Sequence, residues 1–237
     1  AASDAGTAVG AASYASWKRG QTPEPMTHVY LGPAYTTEQC IEACEEHAER
    51  PVYERHDNIV QKAAALLDAG NPVAWCQGRM EFGPRALGGR SILGNPGYPG
   101  IADKINEQIK FRERWRPFCP SILDTVASDM IQTDHPAPFM TITFEVSEEW
   151  RKRVPEVVHE DGTSRVQIVD RAANPRYYSL LQEMERLNGN GVVLNTSMNR
   201  RGEPMVCSPA DALNMFYGSD LEYLVLEDLL VTKRASH

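Results

Sequence analysis

The chain has 237 residues, of which 42% are apolar and 24% charged, with a net charge of −8. That is enough for one large domain or two unequal ones, and the acidic balance speaks against a general nucleic-acid binder, which needs a basic face. No apolar run reaches the length of a membrane span, and five cysteines in a chain too long to need staples read as reduced, cytosolic thiols.

Residues 1–18 are small-residue-rich and read as a glycine-punctuated turn entering a helix that must lie closely against something. Residues 19–35 carry three prolines and two glycines and read as a connector. Thr37 is the expected cap of a helix through 50, and Asp57 the cap of a second helix that stops at Gly70. Cys40, Cys44 and His47 share one face of the first helix; without a fourth ligand they read as half-buried helix residues rather than a metal site. Residues 72–78 read as a buried strand. It delivers the stretch QGRMEFGPRALGGRSILG (77–94), with three arginines (Arg79, Arg85, Arg90), five glycines and a proline. A solvated surface loop is the simpler account of any one of these arginines. Together, guanidinium forks and free backbone amides on a glycine-rich bend predict a phosphate or carboxylate site.

A short helix is expected over 100–109, then KFRERWRPF (110–118), where Lys110, Arg112, Arg114 and Arg116 alternate. If extended, they line one face and repel one another unless an anion lies between them. Residues 139–146 and 164–170 read as strands, with Arg165 after an Asp161-Gly162 turn. Residues 175–188 fit a helix and 191–197 a buried strand, ending in Asn195, Ser197 and Asn199. Ser208 and Pro209 start a helix over 208–219, and 221–233 closes the chain as one or two strands. The alternation of strands and helices from residue 57 gives an α/β domain with a mixed sheet. No Walker loop, G-x-G-x-x-G or G-x-S-x-G is present, so the residues alone reach a nucleotide- or phosphate-binding α/β domain.

EFGPRALGGRSIL, KFRERWRPF, HEDGTSRVQ and LNTSMNRRGEP, in that order, resemble the C-terminal part of the O-carbamoyltransferases, which act on nodulation factors and antibiotics. The resemblance implies a YrdC-like twisted mixed sheet with helices over 36–237, preceded over 1–35 by the tail of a Kae1-like (actin/sugar-kinase-like) transferase domain and a linker. It implies formation of carbamoyl-adenylate from carbamoyl phosphate and ATP with Mg²⁺, for transfer by the upstream part to a hydroxyl of a small-molecule acceptor. Arg85 and Arg165 are then expected to bind carbamoyl phosphate, and Lys110 and Arg112 the nucleotide phosphates. Lys110 and Arg112, with Arg85, form the catalytic set. Asn195 and Ser197 are expected to contact the nucleotide, in the reverse of the family's Ser/Asn order. Arg90 and Asn199 are second choices. Asp4 is expected as one ligand of a catalytic metal, with Fe²⁺ a candidate, shared with the upstream part. The alternatives are a nucleotide-binding module without chemistry and a threonylcarbamoyl-adenylate synthase.

Overall fold

A computed structural model describes residues 4–113 and 115–233. An α-helix, α1 (Ala5–Lys18), opens it. None of its residues is buried, so the close partner its Ala/Gly content calls for is not among the described residues. Residues 19–35 run without regular structure to α2 (Thr37–Glu46). The cap of α2 is Thr36, not Thr37: Thr36 and Gln39 form a capping box, while the Thr37 hydroxyl donates to Asp228 at 3.0 Å. Likewise Asn58, not Asp57, precedes α3 (Ile59–Asp68).

The remaining elements are β1 (Val52–Arg55), β2 (Val73–Cys76), β3 (Arg90–Gly94), α4 (Ile101–Lys104) running into a π-turn (Ile105–Ile109), β4 (Cys119–Leu123), α5 (Asp124–Ile131), β5 (Phe144–Glu145), α6 (Glu148–Arg153), β6 (Thr163–Ser164), β7 (Gln167–Val169), α7 (Pro175–Asn188), β8 (Val192–Ser197), α8 (Pro209–Tyr217), β9 (Tyr223–Leu226) and β10 (Leu229–Thr232). α7 and α8 begin where the sequence places them, and α8 carries the expected Ser208 cap with Pro209 at its first position.

Among the described residues one mixed sheet has the order β1-β10-β9-β2-β3-β8-β4-β7. β2 runs parallel to β9 and β4 to β7, and the other pairs are antiparallel. β2, β3 and β4 are buried throughout; β2 is the buried strand expected over 72–78, while β3 and β4 carry Arg, Ser and Pro and show no strand pattern in the sequence. The strand expected over 139–146 shrinks to β5. Met140 takes a left-handed φ of 53° and turns its side chain into a small apolar cluster with Val29, Leu87 and Cys119, which ends the extended run. The strand expected over 164–170 is broken between β6 and β7, and Arg165 stands in the break.

This order converges three strand ends. The C-terminal end of β8 lies between the N-terminal ends of β3 and β4, with Ser197 opposite Ser91 and Asn195 opposite Cys119. The register of β4 on β7 pairs Ser121 with Gln167. Two residues back on each strand are Cys119 and Arg165, so both stand at the same end of the sheet.

Candidate functional site: an arginine-lined cleft

The loop between β2 and β3 is built around a buried carboxylate. Glu81 is 3% exposed, and its Oε1 accepts the amides of Leu87 at 2.7 Å, Gly89 at 2.6 Å and Arg90 at 3.2 Å. The Gly88 amide donates to the Ser91 hydroxyl. The amides expected to face a ligand at 87–90 are therefore occupied by the protein itself. Gly88 permits the bend: its φ is +97°, and a Cβ there would lie 2.2 Å from the Tyr177 ring.

The three arginines of this loop divide. Arg79 donates to the Leu31 carbonyl at 2.9 Å. Arg90 is 1% exposed and donates to the carbonyls of Cys207, Gln77, Gly78, Gly89 and Pro33. Each of its three guanidinium nitrogens donates to backbone. The expectation that Arg90 binds substrate is corrected: it staples the loop and does not line the cleft. Arg85 alone of the three turns into it.

The cleft holds about 380 Å³ between Pro84–Ala86, Arg112, Arg116–Cys119, Met140, Arg165 and Asn195–Ser197. Among the described residues, four guanidinium groups, of Arg85, Arg112, Arg116 and Arg165, stand on its wall and no carboxylate does. The Nε atoms of Arg85 and Arg165 are buried without a hydrogen-bond partner. Burial first, and Arg165 second, push the Arg85 guanidinium below its usual pKa. Arg112 is pushed down by burial and by Arg116; its Nε donates to Asn106 at 2.6 Å and its plane lies over the Phe118 ring. Cations held this close, with donors unspent, are a frame for an anion.

KFRERWRPF does not run extended as expected. Phe111 has a φ of 47°, which breaks the alternation. Arg112 and Arg116 reach the cleft, while Arg114 lies outside the described residues. Lys110 turns away beneath its edge. It is 5% exposed, and its Nζ donates to the Ser197 carbonyl, to the Asn199 carbonyl at 3.0 Å and to Asn199 Oδ1 at 2.8 Å. Burial, with Arg112 adding, pushes its pKa down to about 7. Ser197 Oγ in turn donates to Asn199 Oδ1 at 2.7 Å. Ser197 and Asn199 are thus gathered around the lysine, while Asn195 is not. Ser197 also lines the cleft; Asn199 supports it from behind, its Nδ2 bound to the Glu203 carbonyl.

Asn195 is 2% exposed and forms part of the cleft wall. Its Nδ2 donates to Ala86 O, Ser121 Oγ and Gln167 Oε1, which leaves Oδ1 buried without a partner. Asp4 stands exposed before α1, its carbonyl accepting from Thr7. Among the described residues no three His, Cys, Asp or Glu side chains gather as a metal site, so the residues present do not suffice to hold the metal expected at Asp4. Cys40 and Cys44 are core residues and His47 stacks on Tyr217.

The family model described as the carbamoyltransferase C-terminus matches residues 64–233. The chain belongs to that family. The chain is 39% identical to the nodulation protein NolNO of Sinorhizobium fredii over 245 residues, covering all of this chain and 36% of that protein. It is 39% identical to the nodulation protein NolO of Bradyrhizobium diazoefficiens, covering 99% of this chain and 44% of that one. The chain therefore spans well under half the length of these relatives. Among solved structures it is similar to full-length HypF in the phosphate- and nucleotide-bound form, with a TM-score of 0.50 at 16% identity over 75% of this chain and 26% of that one. It is similar also to P. abyssi Sua5 complexed with L-threonine, with a TM-score of 0.52 at 19% identity over 74% and 48%. At these identities the likeness is one of fold, and the fold is YrdC-like.

Two residues of the cleft and its arginine loop escape a reading by motif. Glu81 looks like any loop carboxylate until its three amide partners are seen. Cys119 follows Phe118 in a segment with no recognisable strand pattern, yet it lines the cleft and its Sγ lies 3.1 Å from Arg165 Nη2. Among the described residues no helix is long and apolar enough to cross a membrane.

Proposed function

We propose that this domain forms carbamoyl-adenylate from carbamoyl phosphate and ATP, for transfer to a hydroxyl of a small-molecule acceptor. The observation that carries the reading is the pair of buried guanidinium Nε atoms of Arg85 and Arg165, without hydrogen-bond partners, in a cleft lined among the described residues by two further arginines and no acid. A site so built favours an occupant carrying several negative charges. HypF, whose fold it shares, has been captured with phosphate and nucleotide, which supports the reading.

In this mechanism Arg85 and Arg165 hold the phosphate of carbamoyl phosphate. Its hydrolysis gives phosphate and carbamate, and the carbamate oxygen attacks the α-phosphorus of ATP to expel pyrophosphate. Arg112 and Arg116 neutralise charge on the nucleotide phosphates as it builds, acting by position and electrostatics. Lys110 contributes its charge from beneath and fixes the Ser197–Asn199 turn; Ser197 and Asn195 face the nucleotide. Mg²⁺ bound to the triphosphate would neutralise part of its charge; among the described residues the cleft wall offers no carboxylate to hold it. Residues 1–35 are the tail of the acceptor-handling part and its linker, and 36–237 the adenylate-forming domain. Reading of the acceptor, and the metal expected with Asp4, belong to the upstream part.

The test is pyrophosphate release from ATP and Mg²⁺, with and without carbamoyl phosphate. Release that requires carbamoyl phosphate is the expected result. Release supported instead by bicarbonate and threonine means a threonylcarbamoyl-adenylate synthase, and ATP binding without turnover means a binding module.

A further inference from the structure

Cys119 has no part in the mechanism above, although it stands among the groups that mechanism uses. It is the first residue of β4, 5% exposed, on the wall of the cleft between Phe118 and Met140. Arg165, given above to the phosphate of carbamoyl phosphate, also donates to its Sγ at 3.1 Å. Directly across the ladder is Asn195, nine-tenths buried and more, whose Oδ1 is left without a donor once Nδ2 has served Ala86, Ser121 and Gln167. An acceptor-only oxygen, a guanidinium and a thiol side by side match one small group: a carbonyl carbon bearing an amide NH₂. The NH₂ donates to Oδ1, the carbonyl oxygen accepts from the guanidinium, and the carbon faces sulfur.

We infer that the Cys119 thiol is a second acceptor of the carbamoyl group, taking it from carbamoyl phosphate as a thiocarbamate when nucleotide is absent. The inference rests on the reading of the cleft as a carbamoyl phosphate site. Sulfur attacks the carbonyl carbon and a C–S bond forms. The C–O bond to the phosphate breaks, the phosphate leaves with the bonding pair, and the thiol proton passes to it. Carbamoyl phosphate and thiol give S-carbamoyl-Cys119 and inorganic phosphate, with no oxidant or further reactant. A thiol reacts as its thiolate, and a guanidinium at hydrogen-bond distance stabilises negative sulfur. The other buried thiols lack such a neighbour in a cleft: burial pushes Cys40 and Cys76 up to about 12 and Cys44 up to about 11, all within the main apolar core. A carbamoyl group on Cys119 fills the space where the next carbamoyl phosphate must sit. The domain is thereby idled when carbamoyl phosphate meets it without ATP, and ATP keeps it open by drawing the group to the adenylate instead.

The experiment incubates the 237-residue chain with carbamoyl phosphate and maps adducts by peptide mass spectrometry, alongside a titration with inorganic phosphate. The expected result is one carbamoyl group on Cys119, reduced about tenfold by ATP and Mg²⁺ and unchanged in Cys207→Ala. Arg165→Ala slows the labelling by about tenfold, and Cys119→Ser abolishes it. Labelling of Cys119 no faster than that of the half-exposed Cys207, or labelling indifferent to Arg165, overturns the inference. A chain that binds phosphate but carries no adduct at Cys119 overturns it alone. A chain that binds neither phosphate nor ATP overturns the cleft reading, and this inference with it.

Discussion

Arg85 and Arg90 stand on one loop, on the same glycine-rich bend, and their guanidinium groups do opposite things. Arg90 is 1% exposed and satisfied by backbone carbonyls from four separate parts of the chain, including Pro33 in the connector and Cys207 before α8. Arg85 makes no hydrogen bond among the described residues, carries a buried Nε without a partner, and is held beside another cation. One arginine is held by backbone through every guanidinium nitrogen, and the other has no protein partner among the described residues and faces the cleft. Arg85 is half-buried and opens on the cleft, with donors that an anion there can take up. The difference separates a residue that makes the fold from one that awaits an anion, and it does so where the sequence shows only two arginines.

The comparison is broken most directly by removing each in turn. Arg90→Ala leaves five carbonyls without their shared donor and is expected to cost about 4 kcal/mol of stability, read from chemical denaturation. Arg85→Ala relieves repulsion with Arg165 and is expected to leave stability unchanged within about 0.5 kcal/mol. Its loss appears instead in phosphate binding, which weakens about a hundredfold by calorimetry. If Arg85→Ala unfolds the protein, or Arg90→Ala folds normally and loses only phosphate, the assignment is reversed.

Lys110 sharpens the comparison, because it is a cation both satisfied and strained. Oxygens of Ser197 and Asn199 hold it, yet burial pushes it down to about 7 from the ordinary 10.5. Between those values the unfolded chain binds more protons than the folded one, so stability rises with pH from about 7 upward and is flat below. The expected gain between pH 7 and 10 is about 2 kcal/mol, smaller than the bare linkage because the three oxygens favour the charged form. Lys110→Met is expected to remove the rise, measured as denaturation midpoints across that range. A rise of equal size in Lys110→Met assigns it to another group.

Much of this was legible in the sequence, and the limits have physical causes. Caps and periodicity place α7 and α8 because Asn174, Pro175, Ser208 and Pro209 act within a few residues of themselves. Arg85, Arg112, Arg165, Asn195 and Ser197 were legible as a group, and the fold gathers all five on one cleft. What was not legible depends on contacts distant in sequence. Nothing near Arg90 announces that Pro33 and Cys207 will solvate it, and nothing near Glu81 announces that its carboxylate will draw the loop amides inward. Met140 defeats the strand pattern of 139–146 because burial against Val29 outweighs a local preference for extension. Spacing alone does not tell which of Asn195, Ser197 and Asn199 hold Lys110: the structure gives that to Ser197 and Asn199, while Asn195 and Ser197 line the cleft.

The smallest expected effect concerns how the connector supports Arg85. Residues 29–33 lie along the arginine loop: the Phe82 amide donates to Val29 O at 2.7 Å, the Gly32 amide to Met80 O at 2.9 Å and the Met80 amide to Pro33 O at 2.9 Å. Tyr30 OH donates to the Leu87 carbonyl at 2.8 Å. That carbonyl also accepts Gln167 Nε2 at 3.0 Å, and Gln167 Oε1 in turn accepts the Ser121 hydroxyl, to which Asn195 donates. Tyr30 is thereby joined to the cleft wall from the side opposite Arg90. Tyr30→Phe removes one donor while Gln167 still serves Leu87, so no buried carbonyl is orphaned. The expected loss is about 1 kcal/mol of stability, with phosphate affinity lowered about threefold because the loop bearing Arg85 loosens. A drop in the urea midpoint with phosphate affinity unchanged would mean that the strap supports the fold without setting Arg85. A hundredfold loss of affinity would place Tyr30 beside Arg85 as a binding group rather than beside Arg90 as a support.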